Sequence, residues 1–111
     1  RNCPDADRKA MIVGILSIEV FLPGCSSLKE KRQIVQSLRT RIQNRFNASV
    51  AEVGYLDKWQ RAALGVSFVH AHEAPLREVS QKIRELVSAS GALYVLSEKE
   101  WFYRPDSDEW T

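Results

Sequence analysis

Hydrophobic residues repeat with two different periods along this chain, and the order of those periods limits the folds it can adopt. Residues 11–22 alternate with a period of two, which is typical of a strand, and place Leu16, Ile18 and Val20 on one face. Residues 28–46 repeat at the spacing of a helix with one apolar stripe. The stripe consists of Leu28, Ile34, Val35, Leu38, Ile42 and Phe46.

The ends of this helix also have recognisable signals. Ser27, followed by Glu30, gives the capping-box pattern that satisfies free amides in a first helical turn. Asn47 tolerates the left-handed conformation that is common at a helix exit. We therefore expect a helix from about Leu28 to Arg45.

The rest of the chain supplies three strands and one helix. Residues 48–54, 61–70 and 92–103 have the composition of strands. A second apolar stripe begins at Pro75, which a first helical turn tolerates, and ends before Gly91. The order strand, helix, strand, strand, helix, strand predicts an α+β, ferredoxin-like βαββαβ fold. In this fold two helices cover one face of a four-stranded antiparallel sheet.

Polar segments flank the predicted domain. Residues 1–10 (RNCPDADRKA) are predicted to be a disordered extension, residues 11–104 the ferredoxin-like domain, and residues 105–111 an acidic tail. Many unrelated functions use this fold, so the fold alone names no activity.

Basic residues are concentrated in the first predicted helix, although the formal net charge of the chain is only +2. They are Lys29, Lys31, Arg32, Arg39, Arg41 and Arg45, against the single acidic residue Glu30. A stripe of this kind can neutralise phosphates, so we predict an RNA-binding surface here, with Arg61 as a further member. The alternative is a solvated helix face whose long side chains cover apolar surface. Trp59, just before the third strand, either anchors its loop on the core or acts as an exposed hot spot beside Arg61.

The sheet face away from the helices is predicted to be small and partly apolar. Its positions on the first and third strands lack the aromatic residues with which RNA-recognition motifs stack bases. Such a face suits another protein or a second copy of the chain, and we expect a homodimer. The predicted interface residues are Val13, Ile15, Val69, Trp101, Phe102 and Tyr103. Residues 98–110, acidic and aromatic, are either a docking element for the basic helix or an extended fourth strand.

Motifs for catalysis and metal binding are missing from the sequence. There is no Gly-x-Ser-x-Gly, no phosphate-binding glycine loop, and no arginine in the LPGCSS loop where acylphosphatases of this topology need one. His70 and His72 share one side of a strand end but are too few for a metal site. Cys3 and Cys25 indicate free thiols in a reducing cytosol, and no apolar run approaches membrane-spanning length. We therefore predict a cytoplasmic protein that is not an enzyme and has no cofactor, metal or membrane partner.

Several runs of residues match a known family. The most specific are SLKEKR from Ser27 to Arg32, RFN from Arg45 to Asn47, VAEVG from Val50 to Gly54, and WQRA from Trp59 to Ala62. On these runs, residues 11–90 resemble DUF503, the YlxP-like family of small bacterial proteins of unknown function. Tyr55 and the segment from Glu98 onward depart from the family pattern.

The resemblance implies the ferredoxin-like fold and no established activity. Genes of this family often lie among those for translation initiation and ribosome maturation factors. This neighbourhood implies association with structured RNA or with the small ribosomal subunit, which agrees with the basic helix. Self-association or binding of another protein through the open sheet face remains the alternative.

Overall fold

A computed structural model describes residues 9–106 and Asp108 of the chain. Most of the predicted extension at residues 1–10, and part of the predicted tail at residues 105–111, lie outside these residues. The elements are β1 (Ile12–Phe21), α1 (Leu28–Phe46), β2 (Ser49–Gly54), β3 (Arg61–His70), α2 (Glu73–Ser88) and β4 (Tyr94–Tyr103).

The four strands form one antiparallel sheet in the order β2-β3-β1-β4. This order and the βαββαβ succession confirm the predicted ferredoxin-like α+β fold. The two edge strands, β2 and β4, each contain one irregularity in their pairing. In β4 it falls at Leu96, which lies between the partners of Glu19 and Val20 and has no partner of its own in β1.

One face of the sheet is buried beneath both helices, because strand residues alternate between the two faces. Leu16, Ile18 and Val20 are buried on β1, as the alternation predicted, and Leu64 and Val66 are buried on β3. These residues pack with the apolar stripes of the helices in one core. The helical members of that core are Val35, Leu38, Ile42, Leu76, Ile83 and Val87.

The start and end of α1 agree closely with the sequence signals. Ser27 Oγ accepts the backbone N–H of Glu30 at 3.1 Å, and Asn47 adopts the left-handed conformation at φ 50°. The Glu30 carboxylate, however, accepts hydrogen bonds from Ser26 rather than from Ser27. Those bonds, first from the Ser26 hydroxyl and then from its backbone N–H, lower the pKa of Glu30.

The second helix differs from its predicted limits at both ends. It begins at Glu73, so that Pro75 lies inside the first turn, where its missing N–H still leaves no bond unmade. It ends at Ser88, with Ala89 as the capping residue, and Gly91 lies in the loop beyond. The last turn therefore ends without a left-handed glycine.

Gly14 provides a test of how tightly the core is packed. Gly14 lies opposite Phe68, and a Cβ atom added to it would overlap the aromatic ring. We expect Gly14→Ala to lower the free energy of unfolding by about 1–3 kcal/mol, the usual range for overpacking. Chemical denaturation measures this change. Gly24→Ala is the control, because no atom lies within 4 Å of its added Cβ, and equal destabilisation by both variants would contradict the packing argument.

Candidate functional site

Lys31 is the first predicted binding residue whose position differs from expectation. Its side chain is 0% exposed and runs inward from α1. Its Nζ donates to the carbonyl oxygens of Tyr55 at 2.7 Å, Arg61 at 3.3 Å and Leu56 at 3.4 Å. The prediction that Lys31 belongs to an exposed basic surface is therefore wrong, because its charge is used inside the fold.

A carboxylate completes the surroundings of this lysine. Glu52 on β2 places Oε2 2.7 Å from Lys31 Nζ, so that the two side chains form an ion pair. A buried ammonium needs both charge compensation and acceptors for its hydrogens, and this arrangement supplies both. The helix is thereby tied to the connection between β2 and β3.

Two of the carbonyl groups that Lys31 binds, those of Tyr55 and Leu56, belong to a strained turn. Tyr55 has a φ of 58°, in the left-handed region that non-glycine residues adopt rarely. Its carbonyl accepts both Lys31 Nζ and the backbone N–H of Lys58 at 3.0 Å. We call residues 55–60 the 55–60 loop, and its shape depends directly on the buried lysine.

Substitution of Lys31 tests this dependence. Lys31→Met keeps the apolar stem but leaves the Glu52 carboxylate without its cation, so we expect a loss of about 3 kcal/mol in the free energy of unfolding. Lys29→Met, two residues away on the exposed side of α1, should change it by no more than about 0.5 kcal/mol. Urea denaturation of both variants measures the difference, and a Lys31→Met protein as stable as Lys29→Met would contradict the assigned role.

Three other basic residues of α1 do lie together on the surface. Lys29, Arg32 and Arg39 line a groove of about 730 Å³ between α1 and the edge strand β2. We call it the α1–β2 groove. Its remaining lining residues are Gln33, Val35, Gln36 and Glu52.

The groove keeps its positive charge. Within residues 9–106, none of Lys29, Arg32 and Arg39 forms an ion pair with a carboxylate. The groove's own carboxylate, Glu52, is already paired with Lys31. Arg39 Nε is shielded from solvent and has no hydrogen-bond partner among the described residues.

Arg41 and Arg45 lie on the opposite flank of α1. They line a separate cavity of about 520 Å³ with Leu86 and Ala89, which belong to the end of α2. The Arg45 guanidinium also lies 5.5 Å from the centre of the Phe46 ring. The basic residues of α1 therefore divide into two groups rather than forming one stripe.

Arg61 is separated from both groups. It lies on the sheet face away from the helices, where its guanidinium is 2.8 Å from the Glu19 carboxylate and 4.7 Å from the centre of the Tyr55 ring. The ion pair compensates the charge of Arg61. Its predicted membership in the basic surface of the helix is therefore not supported by its position.

Apolar side chains are exposed at the other end of this open face. The register places Val13 between Val69 and Tyr103, and Ile15 beside Trp101. Trp101 is 50% exposed and Tyr103 55% exposed. We call Val13, Ile15, Val69, Trp101 and Tyr103 the open-face cluster. Five of the six predicted interface residues are thus neighbours on one surface.

Phe102 is the exception. It points to the helix side of the sheet, packs against the core and lies 4.5 Å below the Arg77 guanidinium. Phe102 therefore does not share the open face with the other predicted interface residues, because the alternation that exposes Trp101 and Tyr103 turns Phe102 inward. Residues 98–103 belong to β4, which agrees with the extended-strand interpretation of this segment. The predicted docking residue Trp110 lies outside the described residues.

Of the two roles considered for Trp59, anchoring its loop on the core is not observed. Its side chain is 52% exposed, and other groups hold the loop in place. Gln60 Nε2 donates to the carbonyl oxygens of Pro23 and Cys25, each at 3.2 Å, and the Gln60 carbonyl accepts the Leu22 N–H at 2.8 Å. No sequence signal distinguished an exposed tryptophan here from a buried one.

The remaining candidate groups have local structural roles. The His72 backbone N–H donates to His70 Nδ1 at 2.9 Å. Burial raises the pKa of the Cys25 thiol, and the nearby Glu30 carboxylate raises it further. Glu100 of β4 contacts Ser80 and lies 3.5 Å from Arg84, both on α2. Neither described helix is long and apolar enough to cross a membrane.

These features define a ferredoxin-like domain with a basic groove beside its first helix and an apolar cluster on its open sheet face. The family described as Protein of unknown function (DUF503) matches residues 13–99. The uncharacterized protein YlxP of Bacillus subtilis (strain 168) is 30% identical over 92 residues, which are 82% of this chain and 100% of that relative. The chain therefore belongs to the DUF503 family, as its sequence runs indicated.

Proposed function

We propose that the protein is a non-catalytic RNA-binding module that associates with structured RNA or the small ribosomal subunit through the α1–β2 groove. The observation that carries this proposal is the cluster of three cations, Lys29, Arg32 and Arg39, that no described carboxylate neutralises. Phosphate contacts dominate the affinity of proteins for nucleic acids. The proposal places the protein in the cytoplasm, where such RNA is found.

The contrast between the two helices supports this proposal. All three basic residues of α2, namely Arg77, Lys82 and Arg84, form ion pairs with carboxylates. A helix face whose charges serve only to keep it solvated can have mixed charges of this kind, because exposed ion pairs change the free energy of folding little. The groove side of α1 instead has three like charges and no ion pair to a described carboxylate, so an anion in the groove would lower their mutual repulsion.

Charge reversal in the groove tests the proposal. We expect Lys29→Glu/Arg32→Glu/Arg39→Glu to abolish binding of a fluorescein-labelled RNA hairpin with a single-stranded tail, measured by fluorescence anisotropy. If three phosphates are contacted, affinity of the unaltered protein should fall about 20- to 40-fold between about 50 and 200 mM salt. Co-sedimentation with purified small ribosomal subunits extends the test to the ribosome.

A matched variant controls for net charge. Lys9→Glu/Lys82→Glu/Lys99→Glu changes the net charge by the same amount at positions outside the groove, and should retain most of the affinity. Equal loss in both triple variants would show a diffuse charge effect and contradict the groove. Arg41→Glu/Arg45→Glu then tells whether the other flank of α1 contributes.

The open-face cluster favours a second candidate function, namely self-association. Trp101, Tyr103, Val69 and Ile15 are exposed together, and exposed apolar patches of soluble proteins commonly mark interfaces. A two-fold dimer would bring two copies of this face together. The two functions use opposite sides of the sheet, so one does not exclude the other.

Light scattering and sedimentation test the second candidate. We expect a dimer at micromolar concentration, and Trp101→Glu should weaken it by at least about 30-fold, because a charge would replace a central aromatic contact. Leu56→Glu introduces the same charge at an exposed apolar residue outside the open-face cluster, and should leave the dimer intact. A monomer at high micromolar concentration would count against self-association.

A further inference from the structure

We infer that Trp59 stacks on an unpaired base of the bound RNA, so that the preferred ligand is RNA with single-stranded nucleotides next to the segment held in the α1–β2 groove. This inference rests on the proposed function and specifies its ligand class. It starts from a tryptophan that is 52% exposed on a loop whose backbone is fixed at several points.

The backbone beneath Trp59 is organised before any ligand binds. Lys31 holds the carbonyl groups of Tyr55 and Leu56 at the start of the loop and that of Arg61 just after it. Gln60, next to Trp59, is held by hydrogen bonds of both its side chain and its carbonyl. An aromatic side chain on so rigid a support loses little entropy when it binds, which is the property of an effective recognition residue.

The surroundings of the indole suit a nucleotide better than an apolar protein surface. Trp59 lines a cavity of about 370 Å³ in which all other lining residues are polar or charged: Asp57, Lys58, Gln60 and Arg61. A protein hot spot requires neighbours that exclude water around it. A base requires only a flat aromatic face, with polar groups at its edge and a cation for its phosphate.

The charged residues of this cavity differ in what they offer a nucleotide. Lys58 is exposed and forms no ion pair within the described part of the chain, so it is available to a phosphate. Arg61 forms an ion pair with Glu19 and therefore adds little positive charge to this cavity. Asp57 repels phosphate but can accept a hydrogen bond from the N–H groups of a base, which favours a base over a phosphate beside it.

Lys31 also connects this cavity to the groove. Lys29 and Arg32 flank Lys31 within the first five residues of α1, and the Lys31 ammonium lies 2.7 Å from the Tyr55 carbonyl at the start of the loop. The loop therefore contacts α1 at the N-terminal end of the groove. We expect an RNA strand that leaves the groove at this end to reach the indole.

A comparison of single-stranded and duplex RNA tests the inference. We expect Trp59→Ala to weaken binding of a single-stranded RNA of about ten nucleotides by about tenfold or more, because stacking on one base is lost. Binding of a duplex of the same length, whose bases are already stacked, should change by less than about twofold. Trp59→Phe keeps an aromatic face and should recover most of the single-strand affinity.

The controls separate this inference from the function on which it rests. Thermal denaturation of Trp59→Ala should match the unaltered protein, since the side chain is exposed. If Trp59→Ala binds single-stranded RNA normally while the groove triple variant does not, the stacking role is wrong and the proposed function stands. If the unaltered protein binds neither RNA, both are wrong.

Discussion

The buried ammonium of Lys31 is the interaction on which the arrangement of this protein depends. It fixes the start of α1 against both sides of the β2–β3 connection, and it satisfies the carbonyl groups of a turn that Tyr55 enters in a left-handed conformation. It also pairs with Glu52, which among the described residues is the carboxylate that lines the α1–β2 groove. Without that pair, Glu52 would be available to the exposed cations, and the groove would lose part of its positive charge.

The charges of the chain are consequently divided by location rather than spread evenly. All three cations of α2 are matched with carboxylates, as for Arg77 with Glu73, and so is Arg61 with Glu19 on the sheet. The exposed cations of α1, both in the groove and on the other flank, form no ion pair with a described carboxylate, while the opposite side of the sheet presents apolar residues. The molecule thus has two chemically different surfaces, one suited to an anionic polymer and the other to an apolar partner. The core between them keeps both in fixed positions.

Much of this could be predicted from the sequence, because periodicity and capping are local signals. Ser27 and Asn47 located the ends of α1, and strand alternation identified the buried and open faces. The start of α2 was misplaced because Pro75 is tolerated anywhere in a first turn. Lys31 was assigned to the surface because lysines are rarely buried, although it precedes Val35 by four residues on the apolar stripe. The exposure of Trp59 depends on distant hydrogen bonds that no local pattern records.

Nuclear magnetic resonance titration of the labelled protein with a short RNA that contains an unpaired stretch identifies the surface that binds RNA. We expect the largest chemical-shift changes at Lys29, Arg32 and Arg39, with further changes in the 55–60 loop. The signals of Ile15 and Trp101 on the open sheet face should stay in place. Changes confined to the open face, or no changes on α1 at RNA concentrations that saturate other basic RNA-binding domains, would contradict the proposed binding surface.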